Sequence, residues 1–145
     1  MMDWLGRMLD LPDKFLFSTG THGGGVIQGT ASEATLVAML GARNKIVTEI
    51  KQQNQNITTG EIINQLIGYY SEQAHSSVER TGLLLAINMK KLPTDHQLSL
   101  RGSTLEQEIQ KDKANGLIPF YVVATLGTTN TCAFDNVIEL GNVCK

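Results

Sequence analysis

A glycine-rich stretch at residues 23–36 constrains this chain more than any other feature. Three consecutive glycines lead into a short apolar run, Gly29 follows, and small residues then open a helical pattern. Glycine permits backbone conformations and close approaches that a Cβ atom would block. Thr30 and Glu33 have the S/T-x-x-E spacing of a capping box. The stretch therefore predicts a sharp turn that leads directly into a helix.

The start of this predicted helix has two interpretations. A helix N-terminus has unpaired N–H groups and a partial positive charge, so Thr30, Ala31 and Ser32 could cradle a phosphate. The same residues also fit a plain strand–turn–helix corner with a good cap. The strict dinucleotide and P-loop fingerprints are absent from the sequence, so these residues alone leave both interpretations open.

The composition narrows the class of protein. The chain of 145 residues, 41% of them hydrophobic and 18% charged, is ordinary for one globular domain with a core. A net charge of −2 gives no reason to expect nucleic acid, and no apolar run approaches the length of a membrane span. Cys132 and Cys144 show neither metal-ligand spacing nor a disulfide framework. We therefore expect a cytoplasmic protein with reduced cysteines and no bound metal.

Helical and strand patterns alternate along the chain, which predicts an α/β fold with a mainly parallel sheet. The long helix is expected over 32–53 with Arg43 on its solvated side, and a second capping box is expected at Ser103 and Glu106. The last predicted strand is almost continuously apolar, so we expect both of its faces to be buried. The other predicted helices cover 1–9, 61–67, a segment ending near 85, 103–113 and 137–143, and the strands cover 68–71, 88–92 and 118–126.

Ligands of an open α/β sheet bind beyond the carboxyl ends of its strands. Three segments meet that description, at residues 30–32, 75–77 and 127–129. His75 has several interpretations: a base, a ligand, a stacking partner, or a helix-start histidine satisfied by the backbone. Thr128 and Thr129 fit either a binding loop or a capped strand end. His22 and His96 fall in predicted loops, where we expect them to be solvated.

Three motifs resemble one known family. They are GGGVIQGTASEATLVA at 23–38, SEQAHSSVER at 71–80 and VATLGTTNTCAFDN at 123–136. Together they are similar to the group II amino-acid decarboxylases that depend on pyridoxal 5'-phosphate (PLP). MMDWLGRMLDLP at 1–12 and GLIPFYVVATLGTT at 116–129 extend the resemblance over nearly all of the chain. The similarity is greatest to the animal members that act on aromatic L-amino acids, and the histidine decarboxylases come next.

The resemblance implies a fold, a reaction and a set of site residues. The implied fold is part of the large domain of a fold type I PLP-dependent enzyme, with helices flanking a mainly parallel sheet, in a homodimer. Ala31 and Ser32 are implied to bind the phosphate of PLP, with Thr30 beside them, and Thr129 is implied to contact the cofactor. His75 is implied to stack on the pyridine ring and to act in catalysis. The implied reaction converts dopa, tyrosine or a tryptophan derivative to the amine and carbon dioxide.

The resemblance also identifies family features that this sequence lacks. Family members have an aspartate that pairs with the pyridine nitrogen and a lysine that binds the cofactor covalently, within a segment like Asn-Pro-His-Lys. None of the lysines of this chain stands in such a segment. We therefore expect residues 1–145 to be an internal fragment: a partial PLP-binding large domain, inactive alone, without the cofactor-lysine segment and the C-terminal small domain.

Three alternative functions stay open. An aldehyde synthase keeps the cofactor but couples decarboxylation to oxidative deamination. Animal relatives of that kind tend to carry asparagine where His75 stands, so His75 favours simple decarboxylation. Histidine decarboxylase is a second alternative, mildly disfavoured by residues 28–30 and 128–130. A catalytically dead homologue that binds a partner is the third, and the missing lysine segment motivates it.

Overall fold

The computed structural model describes residues 1–21 and 23–145, and it divides into two compact units, Met1–Ala34 and Thr35–Lys145. His22, which was expected in a solvated loop, lies outside the described residues. His96 is exposed, as expected. Within the described part of the chain, no helix is both long enough and apolar enough to cross a membrane.

The first unit contains one short helix, the turns that follow it, and the start of a longer helix. Helix α1 covers Met2–Met8, and two 3-10 turns follow at Asp13–Phe15 and Phe17–Thr19, inside a segment that was predicted as a loop. The carboxylate of Asp3 accepts hydrogen bonds at 2.8 Å from two backbone N–H groups of the second turn. These two bonds fold the second turn back onto α1.

The glycine run packs tightly against the turns that precede it. A Cβ atom at Gly24 would overlap the ring of Phe17, and one at Gly23 would overlap the backbone of Lys14. Glycine thus permits a close approach here, because a side chain at either position would displace the chain.

A three-stranded parallel sheet with strand order β2-β1-β3 organises the second unit. Its strands are β1 at Leu66–Ser71, β2 at Asn88–Leu92 and β3 at Ile118–Val123. Helix α4 (Ser76–Leu84) connects β1 with β2, helix α5 (Gly102–Ala114) connects β2 with β3, and helix α6 (Val137–Val143) follows β3. Helices α2 (Ala31–Gln53) and α3 (Thr59–Gln65) precede the sheet. The predicted α/β class with a parallel sheet is confirmed.

Helix α2 has nearly the predicted bounds, but one residue on its surface differs from expectation. Met39 is fully buried and packs with Leu85 and Ile87. Arg43 was predicted on the solvated side, yet it is half-buried and its guanidinium donates a hydrogen bond of 3.0 Å to the carbonyl oxygen of Leu85. The reason is geometric: Arg43 follows Met39 by one helical turn and therefore shares its buried face.

The helix predicted over 61–67 begins and ends earlier than expected. Thr58 caps α3 through a capping box with Glu61 that was not predicted from the sequence. Strand β1 begins directly after α3, so Leu66 and Ile67 lie in the strand and not in the helix. All six residues of β1 are buried. Leu66 and Ile67 are apolar for this reason, and their apolar character led to the prediction of a helix that extends to residue 67.

The prediction that residues 118–126 form a strand buried on both faces is wrong in two respects. Strand β3 ends at Val123, and every one of its residues is only half-buried. Among the described residues, β1 is the strand that pairs on both edges, and it is also the strand that is buried throughout. Burial thus follows the order of strands in the sheet, which the composition of β3 does not encode.

Another helix caps the N-terminus of α5, in place of the predicted box of Ser103 and Glu106. Arg101 is the N-cap residue and makes no side-chain capping hydrogen bond. Instead, the Glu139 carboxylate in α6 accepts a hydrogen bond of 2.9 Å from the Gly102 N–H and pairs with the Arg101 guanidinium. Hydrogen bonds from Arg101 and from Gly102 lower the pKa of Glu139 below its ordinary value, because they favour the charged form.

The substitution Glu139→Gln should therefore destabilise the protein in a pH-dependent way. A carboxyl with a lowered pKa in the folded state contributes stability above its unfolded pKa, and this contribution is lost as pH falls through the folded value. We expect the free energies of unfolding of the two proteins to differ at neutral pH, to begin to converge near the ordinary glutamate pKa of about 4.3, and to meet once the pH has fallen below the lowered folded-state pKa. Urea unfolding at a series of pH values measures this difference. A difference that does not change with pH would mean that Glu139 acts through packing alone.

Candidate functional site

The carboxyl ends of β1 and β3 bring two loops side by side. These strands are parallel neighbours, so the segments after Ser71 and after Val123 leave the sheet at the same edge. The two segments line a cavity of about 380 Å³, formed by residues 73–76, Thr125 and residues 127–130. This volume lies within the range of about 300–1,000 Å³ that is common for small-molecule sites. The structure thus places His75 and Thr129 on one cavity, while their roles toward a ligand stay predictions.

A tight turn after β1 determines where His75 lies. The buried Ser71 accepts two hydrogen bonds, from the Ala74 N–H to its carbonyl oxygen at 2.9 Å and from the Gln73 N–H to its hydroxyl at 3.1 Å. The carbonyl oxygen of His75 then accepts the first helical hydrogen bond of α4, from Val78 at 3.0 Å. The last residue of the central strand therefore anchors the segment that carries His75.

The ring of His75 caps α4. Its Nδ1 accepts a hydrogen bond of 3.1 Å from the Ser77 N–H and lies 2.9 Å from the Ser77 hydroxyl oxygen. Because Nδ1 accepts from an N–H group, the ring proton of neutral His75 resides on Nε2. The side chain is exposed and lines the cavity. The helix-start interpretation is thus correct for Nδ1, and Nε2 makes no hydrogen bond with the residues that the structure describes.

The loop after β3 folds back on itself. Gly127 adopts φ +83°, a backbone conformation that favours glycine, and its N–H donates to the carbonyl oxygen of Ala133 at 2.8 Å. The Thr128 hydroxyl accepts from the Ala133 N–H at 3.1 Å and lies 2.7 Å from the Thr131 hydroxyl. Thr128 therefore holds the loop together. Thr129 is exposed in the cavity lining, and its side chain makes no hydrogen bond within the described parts of the chain.

A buried carboxylate at the base of this loop was not predicted from the sequence. Asp135 is only 5% exposed, and its two oxygens accept hydrogen bonds from the Thr125 N–H at 2.7 Å and the Leu100 N–H at 2.9 Å. In the sequence, Asp135 stands beside Asn136, whose side chain caps α6. An aspartate at such a place looks like an ordinary helix-start residue. No local pattern reveals that its partners lie 10 and 35 residues away.

Ala31 and Ser32 form the first turn of α2 and belong to the first unit. The Thr30 hydroxyl accepts a hydrogen bond of 3.1 Å from the Glu33 N–H, and the Glu33 carboxylate accepts one of 3.2 Å from the Thr30 N–H. The predicted capping box is therefore confirmed. A Cβ atom at Gly29 would approach the Glu33 carboxylate to 2.8 Å, so glycine leaves the room that the box needs.

The chemistry of these groups fits PLP, the cofactor that the resemblance implies. Ser32 offers a hydroxyl at a helix N-terminus, where a phosphate is favoured, and Ala31 adds little bulk beside it. The cavity with His75 and Thr129 is lined by hydroxyl, amide and imidazole groups, and its lining includes no Asp, Glu, Lys or Arg. Such a lining suits a small ring with polar substituents. Among the described residues, no group of three or more His, Cys, Asp or Glu side chains could hold a metal ion.

Comparisons with known proteins agree with this chemistry. The conserved domain of pyridoxal-dependent decarboxylases matches residues 1–145. The aromatic-L-amino-acid decarboxylase of Manduca sexta is 56% identical over 145 residues, which is 100% of this chain and 28% of that protein. Two solved structures are also similar. Tryptophan decarboxylase of Catharanthus roseus, in complex with L-tryptophan, has a TM-score of 0.82 at 34% identity, and 4-hydroxyphenylacetaldehyde synthase of Rhodiola rosea has a TM-score of 0.80 at 35% identity.

The chain is much shorter than the relatives that it matches. It covers 30% of each of the two solved structures, so it spans less than a third of the length of these relatives. The structural neighbours confirm the predicted fold class, the parallel α/β sheet of fold type I PLP-dependent enzymes. Since the family match extends over all 145 residues, this chain belongs to the family of pyridoxal-dependent decarboxylases.

Proposed function

We propose that the complete protein decarboxylates an aromatic L-amino acid to the amine and carbon dioxide with PLP as cofactor. Dopa, tyrosine and tryptophan derivatives are the substrates proposed. The observation that carries this proposal is the 56% identity with an aromatic-L-amino-acid decarboxylase over the whole chain. The polar cavity that contains His75 and Thr129 supports it.

The domain, the oligomeric state and the location of the complete protein are also proposed. We propose that residues 1–145 are part of a PLP-binding large domain and that the complete protein is a homodimer, as the family resemblance implies. We also propose a cytoplasmic location. Cys132 and Cys144 support it, since both are exposed free thiols, which persist in a reducing compartment.

Each proposed site residue has a separate task. Ala31 and Ser32, with Thr30 beside them, bind the phosphate of PLP. His75 contacts the pyridine ring and holds a proton on Nε2, and Thr129 makes a second contact with the cofactor. When bound, PLP supplies the electron sink for the charge that remains after carbon dioxide leaves. The protein residues bind and orient the cofactor.

A product analysis tests the proposed reaction. The complete protein, loaded with PLP, is incubated with dopa, tyrosine, tryptophan, 5-hydroxytryptophan and histidine, and amine, carbon dioxide and aldehyde are measured. We expect amine and carbon dioxide in equal amounts from at least one aromatic substrate. Amine from histidine alone would establish histidine decarboxylase instead. Absence of both PLP binding and turnover would favour the catalytically dead homologue.

Aldehyde synthesis is the second candidate function. The observation that favours it is the 35% identity and TM-score of 0.80 with 4-hydroxyphenylacetaldehyde synthase. His75 opposes it, because the family resemblance associates asparagine at this position in animal relatives with aldehyde formation. Aldehyde in place of amine in the product analysis would decide for this candidate.

The substitution Ser32→Asp should weaken PLP binding strongly, since it places a negative charge beside the proposed phosphate site. Ser32→Ala should cost less, about 1–2 kcal/mol for one hydrogen bond to a charged group. Titration of the cofactor-free protein with PLP measures both. Ser103→Asp is the matched control, because Ser103 occupies the same second position in α5, outside the proposed site. Equal PLP affinity in Ser32→Asp and in wild type would remove Ser32 from the site.

Substitutions of His75 can separate its capping role from its catalytic role. Asparagine is a good N-cap residue and glutamine is not, so His75→Asn should retain more thermal stability than His75→Gln. Both variants should bind PLP, yet both should lose about 10²–10⁴-fold in turnover, the contribution of a positioned acid–base group. His75→Asn should also raise the share of aldehyde product.

Amine, aldehyde and bound PLP are therefore measured on one preparation of each variant. If His75→Asn loaded fully with PLP and still produced amine at the normal rate, His75 would have no catalytic role. Its function would then be limited to the capping bond with Ser77.

A further inference from the structure

We infer that Asp135 is a positioning residue: it holds the loop of residues 125–135 so that Thr129 stays in the lining of the cavity that includes His75. The inference rests on the proposed function in one respect, namely that the ligand of this cavity is PLP. The contacts of Asp135 lie at the base of the loop and involve no ligand.

The two ends of the loop are joined by hydrogen bonds in both directions. The Thr125 N–H donates to Asp135 Oδ2 at 2.7 Å, and the Asp135 N–H donates to the Thr125 carbonyl oxygen at 2.8 Å. One residue further along, Leu126 and Phe134 form an antiparallel bridge. The loop is therefore a short hairpin that Asp135 closes, and Thr129 stands near its tip.

The second carboxylate oxygen connects the hairpin to the core. Asp135 Oδ1 accepts a hydrogen bond of 2.9 Å from the N–H of Leu100, a fully buried residue of the cluster that also contains Tyr69 and Leu105. The position of the hairpin is thus defined relative to β1 and α5. Because Asp135 is 5% exposed, loss of one acceptor oxygen would leave a backbone N–H group buried without a partner.

Both bonds require a carboxylate at this position. A hydrogen bond to a charged acceptor is stronger than one between neutral groups. Asparagine has nearly the same shape, but its NH₂ group would face one of the two N–H donors. The substitution Asp135→Asn therefore releases one of the two contacts with little change in side-chain volume.

The first experiment compares Asp135→Asn with Asp95→Asn in the complete protein. Asp95 is a matched control, because one of its carboxylate oxygens accepts backbone hydrogen bonds of 2.8 Å from Gln97 and 3.1 Å from Ser99, in a loop outside the cavity lining. Asp135→Asn should raise the dissociation constant of PLP about tenfold, which corresponds to one such bond, whereas Asp95→Asn should leave it unchanged.

Amide hydrogen exchange of the cofactor-free protein provides a readout that is independent of PLP. Asp135→Asn should speed exchange in residues 125–135 about tenfold, while Asp95→Asn should speed it only near residues 95–99. If Asp135→Asn does not yield folded protein, Asp135→Ser removes the charge while retaining one oxygen, and the same two measurements apply.

A double-mutant cycle separates positioning from general destabilisation. If Asp135 acts through the loop, Thr129→Val should weaken PLP binding in the wild-type background and have much less effect in the Asp135→Asn background. Equal effects in the two backgrounds would overturn the inference.

The outcomes also distinguish this inference from the proposed function. A wild-type protein that binds PLP, with Asp135→Asn equal to it in affinity and loop exchange, overturns the inference and leaves the proposed function standing. A wild-type protein that binds no PLP overturns the proposed function. Loop exchange then decides alone: faster exchange in Asp135→Asn supports the positioning role, and unchanged exchange rejects it.

Discussion

Parallel pairing of β1 along both of its edges is the interaction on which the second unit depends. It buries all six residues of the strand, and it brings the carboxyl ends of β1 and β3 to one edge of the sheet. The Tyr69 hydroxyl, inside β1, donates a hydrogen bond of 3.0 Å to the buried Asp112 and so attaches α5 to the strand. The position of the candidate site is therefore a consequence of the sheet topology, because parallel neighbouring strands end at the same edge and their loops line one cavity.

Helix starts carry much of the local chemistry, and three kinds of side-chain contact satisfy the starts of α2, α4 and α5. A capping box closes the start of α2, an imidazole closes the start of α4, and a carboxylate from α6 closes the start of α5. His75 is the capping residue that also lines the cavity. Its Nδ1 is used for the helix, which orients the ring and assigns the proton to Nε2 in the neutral form. The same contact that caps α4 thus fixes the orientation of a side chain that lines the cavity.

The cavity contrasts with the network that supports it. Its lining contains no Asp, Glu, Lys or Arg side chain, whereas the carboxylates of Asp135 and Glu72 lie outside the lining and accept hydrogen bonds from backbone and hydroxyl groups. Hydrogen bonds from Thr94 lower the pKa of Glu72, so this carboxylate is held in its charged form next to the turn that follows β1. The carboxylates of Asp135 and Glu72 hold loop segments in place through these hydrogen bonds. Hydrogen bonds within the protein therefore fix the positions of the loops that line the cavity before any cofactor binds.

Features formed by residues a few positions apart could be predicted from the sequence. They include the capping box of Thr30 and Glu33, the bounds of β2, and the family motifs, because each depends on neighbouring hydrogen bonds or on residue identity. Four features were decided by the tertiary structure alone. They are the greater burial of β1 compared with β3, the half-buried position of Arg43, the cap that Glu139 provides for α5, and the contacts of Asp135. These features depend on partners 10 to 42 residues away, as the bonds of Asp135 and Arg43 show. Only the folded chain brings such groups within hydrogen-bonding distance, so no local pattern encodes them.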